Sequence, residues 1–243
     1  MAAIPIEENE LVVSSDMLPV KVTGMQSMAG NMWAPFLIMG FMIVAIAFII
    51  GIINSSIAAD YFAFSKTTRE AAGTGVNLAT QKAFIESTKI WMPALKFLGV
   101  GMLLGGITFL LATILGTLRV GGAGVQQALG IEVRMPKPPM TARLFPMFMM
   151  MGMMLLIAAL IISIPTAIMA YGYWNHSIAN ELNPAVEGSE LLRQLGTITA
   201  IKLWLTPFKF VGMATLFTGI GLALATIVQV LRWQSNRLWN ALS

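Results

Sequence analysis

Four intervals free of Asp, Glu, Lys and Arg dominate the pattern of this chain. The first lies between Lys21 and Asp60, with its apolar heart at residues 32–53. The others run between Lys96 and Arg119, Arg143 and Glu181, and Lys209 and Arg232. Each can supply the ~20 apolar residues needed to cross about 30 Å of hydrocarbon. Backbone groups in lipid need partners within their own segment, so these intervals are predicted to be transmembrane helices. The connections also read as mostly helical: Ser56 to Ala72 and Val76 to Ile90, separated by Gly73-Thr74-Gly75. Asn183-Pro184 and Gly188-Ser189 punctuate the second connection, with Thr74 and Ser189 as expected N-caps. Two helical extensions beyond the bilayer follow. Between them, Arg119 to Arg143 holds Gly121, Gly122, Gly124 and Pro136-Lys137-Pro138-Pro139, the composition of a linker with an extended stretch.

A comparison of the chain with itself sharpens this layout. A shift of 113 positions lays Trp91, Lys96, Phe97, Gly99, Leu103, Gly106, Ile107 and Leu111 on Trp204, Lys209, Phe210, Gly212, Leu216, Gly219, Ile220 and Leu224. The match continues with Ala112-Thr113-Ile114 on Ala225-Thr226-Ile227, and Leu118-Arg119 on Leu231-Arg232. Shared hydrophobicity does not explain matched Trp, Lys, Gly and Arg, so an internal duplication is inferred. Each repeat holds two spans and inserts the same way, which implies parallel repeats about an axis along the membrane normal. The expected fold is an all-α integral membrane protein, a pseudo-twofold bundle of four transmembrane helices arranged as two helical hairpins. Its divisions are an N-terminal extramembrane segment (1–31), a first repeat (32–118), the linker (119–143), a second repeat (144–240) and a short tail (241–243).

Gly99, Gly106 and Thr113 recur at seven-residue spacing, as do Gly212, Gly219 and Thr226. That spacing keeps small residues on one helix face, where backbones approach closely, so these six are assigned to helix packing. The alternative is that the stripes line a pore.

Composition agrees with a bilayer environment. Hydrophobic residues make up 57% of the 243 positions and charged residues 11%, against roughly 25% charged in soluble domains. A net charge of +4 would suggest nucleic acid in a soluble chain, but here the basic residues flank apolar spans and anchor helices at headgroups. No nucleic-acid partner is expected. Cysteine is absent, which removes disulfides and thiolate metal sites. The acidic start, Met1 to Glu8, is unlike a signal peptide, so the first span is read as retained. Arg119, Arg134, Lys137 and Arg143 in the linker, with Arg232 and Arg237 in the tail, favour both termini in the cytoplasm of a bacterial inner membrane. The opposite side is also rich in lysine, which weakens a bare count.

Candidate chemistry is sparse. No span carries an ionisable residue in its interior, unlike most pumps and proton-coupled carriers. The sole histidine, His176, follows Tyr171, Tyr173 and Trp174 in an aromatic belt, where a polar contact is the ordinary reading and a shared ligand the alternative. Met147, Met150 and Met154 share a helix face in a run crowded with methionine; soft thioethers suit copper(I), but packing is the commoner role. No cofactor is expected, and copper is the less favoured outcome. Glu181, Glu187 and Glu190 cluster beside a turn as a solvated loop. Nucleophile, P-loop, metalloprotease and dinucleotide motifs are missing.

The expected function is therefore a non-catalytic, accessory helical subunit of a larger membrane complex, with a respiratory or oxidoreductase assembly as one setting. Its partners are other integral subunits and lipid, or further copies of itself. The runner-up is a small-solute channel or facilitator along the pseudo-twofold axis, lined by hydroxyls such as Thr108, Thr113, Ser163 and Thr166. The third reading is an enzyme subunit that offers His176 or the methionines to a cofactor held elsewhere.

Overall fold

The computed structural model describes residues 10–12, 24–72, 76–130, 132–175 and 190–242. Four long helices carry almost all of them: α1 (Gly24–Ala63), α3 (Asn77–Ala128), α4 (Met140–Trp174) and α5 (Glu190–Leu242). A one-turn helix, α2 (Lys66–Glu70), follows α1. All four long helices are long and apolar enough to cross a membrane. Charge-free runs of good helix formers give them their type, and Pro35, Pro93 and Pro207 lie inside α1, α3 and α5 without ending them. His176, Thr74, Ser189, Glu181 and Glu187 lie outside the described residues.

The helices depart from expectation in two places. Ser56 to Ala72 is mostly helical, as its composition implies, but the helix is interrupted: α1 stops at Ala63 and α2 resumes at Lys66. The cause is Ser65, whose hydroxyl accepts from the Thr68 N–H at 3.2 Å and so caps a new helix. Arg69 Nε then donates to the Phe64 carbonyl at 3.1 Å, occupying an acceptor at the break. The second difference lies in the linker, where α3 stays helical through Gly121, Gly122 and Gly124 to Ala128. The Gln234 amide donates to the Leu118 carbonyl at 2.8 Å and anchors this stretch to α5. Helix ends only when Gly130 takes a positive φ of 67°, which suits glycine.

Two three-residue strands complete the fold. β1 (Glu10–Val12) and β2 (Arg134–Pro136) pair antiparallel, with Leu11 opposite Met135. Gln126 clamps β2: its amide donates to the Arg134 carbonyl at 3.1 Å and accepts the Arg134 N–H at 2.8 Å. The Arg134 guanidinium grips Glu132 through two nitrogens, at 2.9 and 2.6 Å. The N-terminal segment thus contributes a strand to its own chain.

Two compact units divide the contacts. One comprises Met1–Ile38, Leu103–Met151 and Thr215–Ser243; the other comprises Met39–Met102 and Gly152–Ala214. The core of the second unit gathers Ile90, Ala167, Ala170, Tyr173 and Ile198, with Trp91 and Trp174 packed against it.

Candidate functional site

The glycine stripes face neighbouring helices. In the second unit, a Cβ built on Gly99 of α3 would lie 2.8 Å from Val44 and 3.2 Å from the Gly40 carbonyl of α1. A Cβ on Gly212 of α5 would meet Leu156 of α4 at 2.9 Å. In the first unit, Gly106 abuts Leu37, with side-chain and backbone atoms at 2.7 to 3.1 Å, and Gly219 abuts the Met149 N–H and Phe145 carbonyl at 3.3 and 3.4 Å. Missing side chains at these four positions let helix backbones come together.

Hydroxyls within the apolar helices turn back on their own backbone. Thr108 donates to Leu104 at 2.9 Å, Thr113 to Phe109 at 3.0 Å, Ser163 to Leu160 at 2.8 Å and Thr166 to Ile162 at 2.8 Å. The fully buried Thr226 hydroxyl lies 2.8 Å from both the Leu222 carbonyl and the Thr141 hydroxyl of α4, and shares its proton between them. Each such bond satisfies a donor without a partner from water. Met147, Met150 and Met154 are exposed on the outward side of α4. Among the described residues, no group of three His, Asp or Glu side chains is placed to hold a metal ion.

A different set of residues forms the most chemically distinct feature, a cleft of about 340 Å³ in the second unit. It is lined from α3 by Lys89, Ile90, Pro93 and Phe97, and from α5 by Lys202, Leu205, Thr206, Lys209 and Phe210. Glu86, one turn before Lys89, sits between two ammonium groups: Lys89 Nζ at 2.6 Å and Lys202 Nζ at 3.9 Å. Lys209 is only 4% exposed, and no hydrogen bond or ion pair to it occurs among the described residues. Phe97 and Phe210 meet edge to face, with ring centroids 5.2 Å apart. Elsewhere in this unit Lys82 lies over the Trp174 ring at 4.4 Å, a cation–π contact beside the core.

Sequence reading passed over this cleft because a lysine at a span edge is an ordinary headgroup anchor. The signal was nonetheless present. The shift that pairs Lys96 with Lys209 also pairs Lys89 with Lys202, so the lysines recur two turns apart on both helices. No known family model, curated protein or solved structure matches the chain, so the geometry alone carries the functional argument.

Proposed function

We propose that this chain is a multi-pass membrane protein acting as a non-catalytic helical subunit of a larger membrane complex. The observation that carries the reading is where the apolar helices spend their polar and apolar groups. Gly99, Gly106, Gly212 and Gly219 abut neighbouring helices and the buried hydroxyls bond to helix backbone, while many large apolar side chains face outward. α1 is the extreme case: its most apolar stretch is 11% buried, against 39% for that of α3. Ile38, Phe41, Phe48, Ile49 and Ile52 are all exposed along it. An apolar face of this extent requires lipid or another protein. The hydroxyls named for a facilitator path spend their protons on carbonyls of their own helices, which leaves them only as acceptors.

The matched residues at a shift of 113 support two parallel hairpins from a duplicated unit, and the basic residues of the linker and tail favour cytoplasmic termini in a bacterial inner membrane. Native purification in mild detergent tests the subunit role. A stoichiometric protein partner at a defined mass is expected; a monodisperse chain with no copurifying protein contradicts it.

A further inference from the structure

The lysine cleft has a use beyond packing: we propose that it binds a phosphate group, and that the phosphate is the headgroup of an anionic phospholipid. This inference rests on the membrane reading of the four helices but not on the subunit role.

Charge bookkeeping gives the sign of the ligand. Three ammonium groups line the cleft and one carboxylate stands beside it. Both oxygens of that carboxylate are engaged, Oε1 by Lys89 and Oε2 by Lys202. No ion pair joins Glu86 to Lys209 among the described residues. Lys209 lines the cleft with most of its side chain buried, so its ammonium keeps only part of its hydration and has no ion-pair partner among the described residues. An anion seated among Lys89, Lys202 and Lys209 would restore that balance. Phosphate suits lysine, whose compact ammonium and rotatable donors approach an oxygen from several directions.

The walls distinguish a lipid from a free ion. Ile90, Pro93, Phe97, Leu205 and Phe210 offer apolar surface to whatever enters. Free phosphate has no use for that surface, whereas a glycerol backbone and the first methylenes of an acyl chain do. Of these side chains, Phe210 is also exposed, which puts an aromatic ring at the open side of the cleft beside cationic heads. Such a juxtaposition belongs at headgroup depth, where basic pockets between transmembrane helices take anionic lipid. The volume of about 340 Å³ falls at the small end of ligand sites, enough for a headgroup but not for a whole lipid.

The experiment uses the full chain reconstituted in nanodiscs of phosphatidylcholine doped with phosphatidylglycerol, and reads lipid enrichment by native mass spectrometry after release. Preferential retention of phosphatidylglycerol is expected. Lys202→Gln and Lys89→Gln should each reduce it by about fivefold, while Lys66→Gln, outside the cleft, leaves it unchanged. Glu86→Gln should increase retention, because it removes the competing carboxylate; a purely structural role for the lysines would not produce that gain. Lys209→Met tests the buried position, and the exposed Lys89 and Lys202 variants decide the matter if it fails to fold. Equal retention of both lipids, or retention indifferent to the Lys89, Lys202 and Glu86 variants, overturns the proposal. Inorganic phosphate forms the second arm: millimolar phosphate that displaces phosphatidylglycerol completely would reassign the cleft to the free ion and overturn the lipid source. Alkaline carbonate extraction of native membranes separates the two failures. A chain released into the supernatant refutes the membrane reading; a chain retained in the pellet without lipid preference refutes this inference alone.

Discussion

Phe97 of α3 and Phe210 of α5, related by the shift that pairs Trp91 with Trp204, meet as an edge-to-face aromatic pair with planes 81° apart. The contact places equivalent positions of two similar helix sequences opposite one another in the lining of the lysine cleft. Alanine substitution at both, read as a double-mutant cycle on unfolding in detergent, should give a coupling of about 0.5–1.5 kcal/mol. Strict additivity would show that the rings do not stabilise each other.

Glycine substitutions should divide by environment. At Gly106 an added methyl meets the Leu37 side chain at 2.7 Å and its backbone nitrogen at 3.1 Å, and backbone cannot yield as a side-chain end can. Gly106→Ala is expected to destabilise by about 1–3 kcal/mol, the range for overpacking. Gly219→Ala, with its nearest atom at 3.3 Å, should cost less. Gly121 has nothing within 4 Å, so Gly121→Ala should be neutral or stabilise by ~0.5–1 kcal/mol through helix propensity. Thermal unfolding in one detergent checks the order; equal effects at Gly106 and Gly121 would remove the packing argument.

The Thr226–Thr141 hydroxyl contact ties α5 to the first turn of α4 inside the first unit. Thr226→Val keeps the shape and removes the donor. A loss of about 0.6 kcal/mol, and not above roughly 1.7, is expected from hydrogen bonds between membrane helices. Thr113→Val should cost less, since the Thr113 hydroxyl donates to Phe109 of its own helix. A larger effect at Thr113 would invert the assignment.

How far the sequence led is clearest at α1. Its charge-free run from Lys21 to Asp60 needed only hydropathy and length to be read as a helix, because lipid permits few other conformations. The break after Ala63 was harder. Ser65 sits among residues that all tolerate helix, and only its geometry reveals a cap. The extension of α3 through Gly121, Gly122 and Gly124 was hidden for the opposite reason. Local propensity there argues for a turn, whereas α3 continues with the Gln234 amide of α5 bonded to its Leu118 carbonyl, a contact across 116 positions that no local window contains. The pairing of β1 with β2 depends on a contact across more than a hundred positions, for which three-residue strands carry no local signal. The cleft combined both difficulties: its lysines were individually plain, and only packing of α3 with α5 brings Lys202 to Glu86 and Lys202 and Lys209 to the same cleft as Lys89.

The exposed methionines of α4 carry a metal prediction. Met147, Met150 and Met154 are exposed, and an apolar thioether in that position suits lipid or a partner surface without any metal. Purified chain exposed to copper(I) should show no stoichiometric binding, and Met150→Leu with Met154→Leu should leave metal content and thermal stability unchanged. One equivalent of copper lost with these substitutions would return the methionines to the candidate site.

The most direct measurement of the central claim is photo-crosslinking in native membranes from a benzophenone amino acid at Phe48, on the exposed face of α1. One protein adduct of defined mass is expected, absent when the probe replaces the buried Leu156. Adducts with lipid alone, from a chain that runs as a monodisperse monomer in mild detergent, would contradict a subunit role.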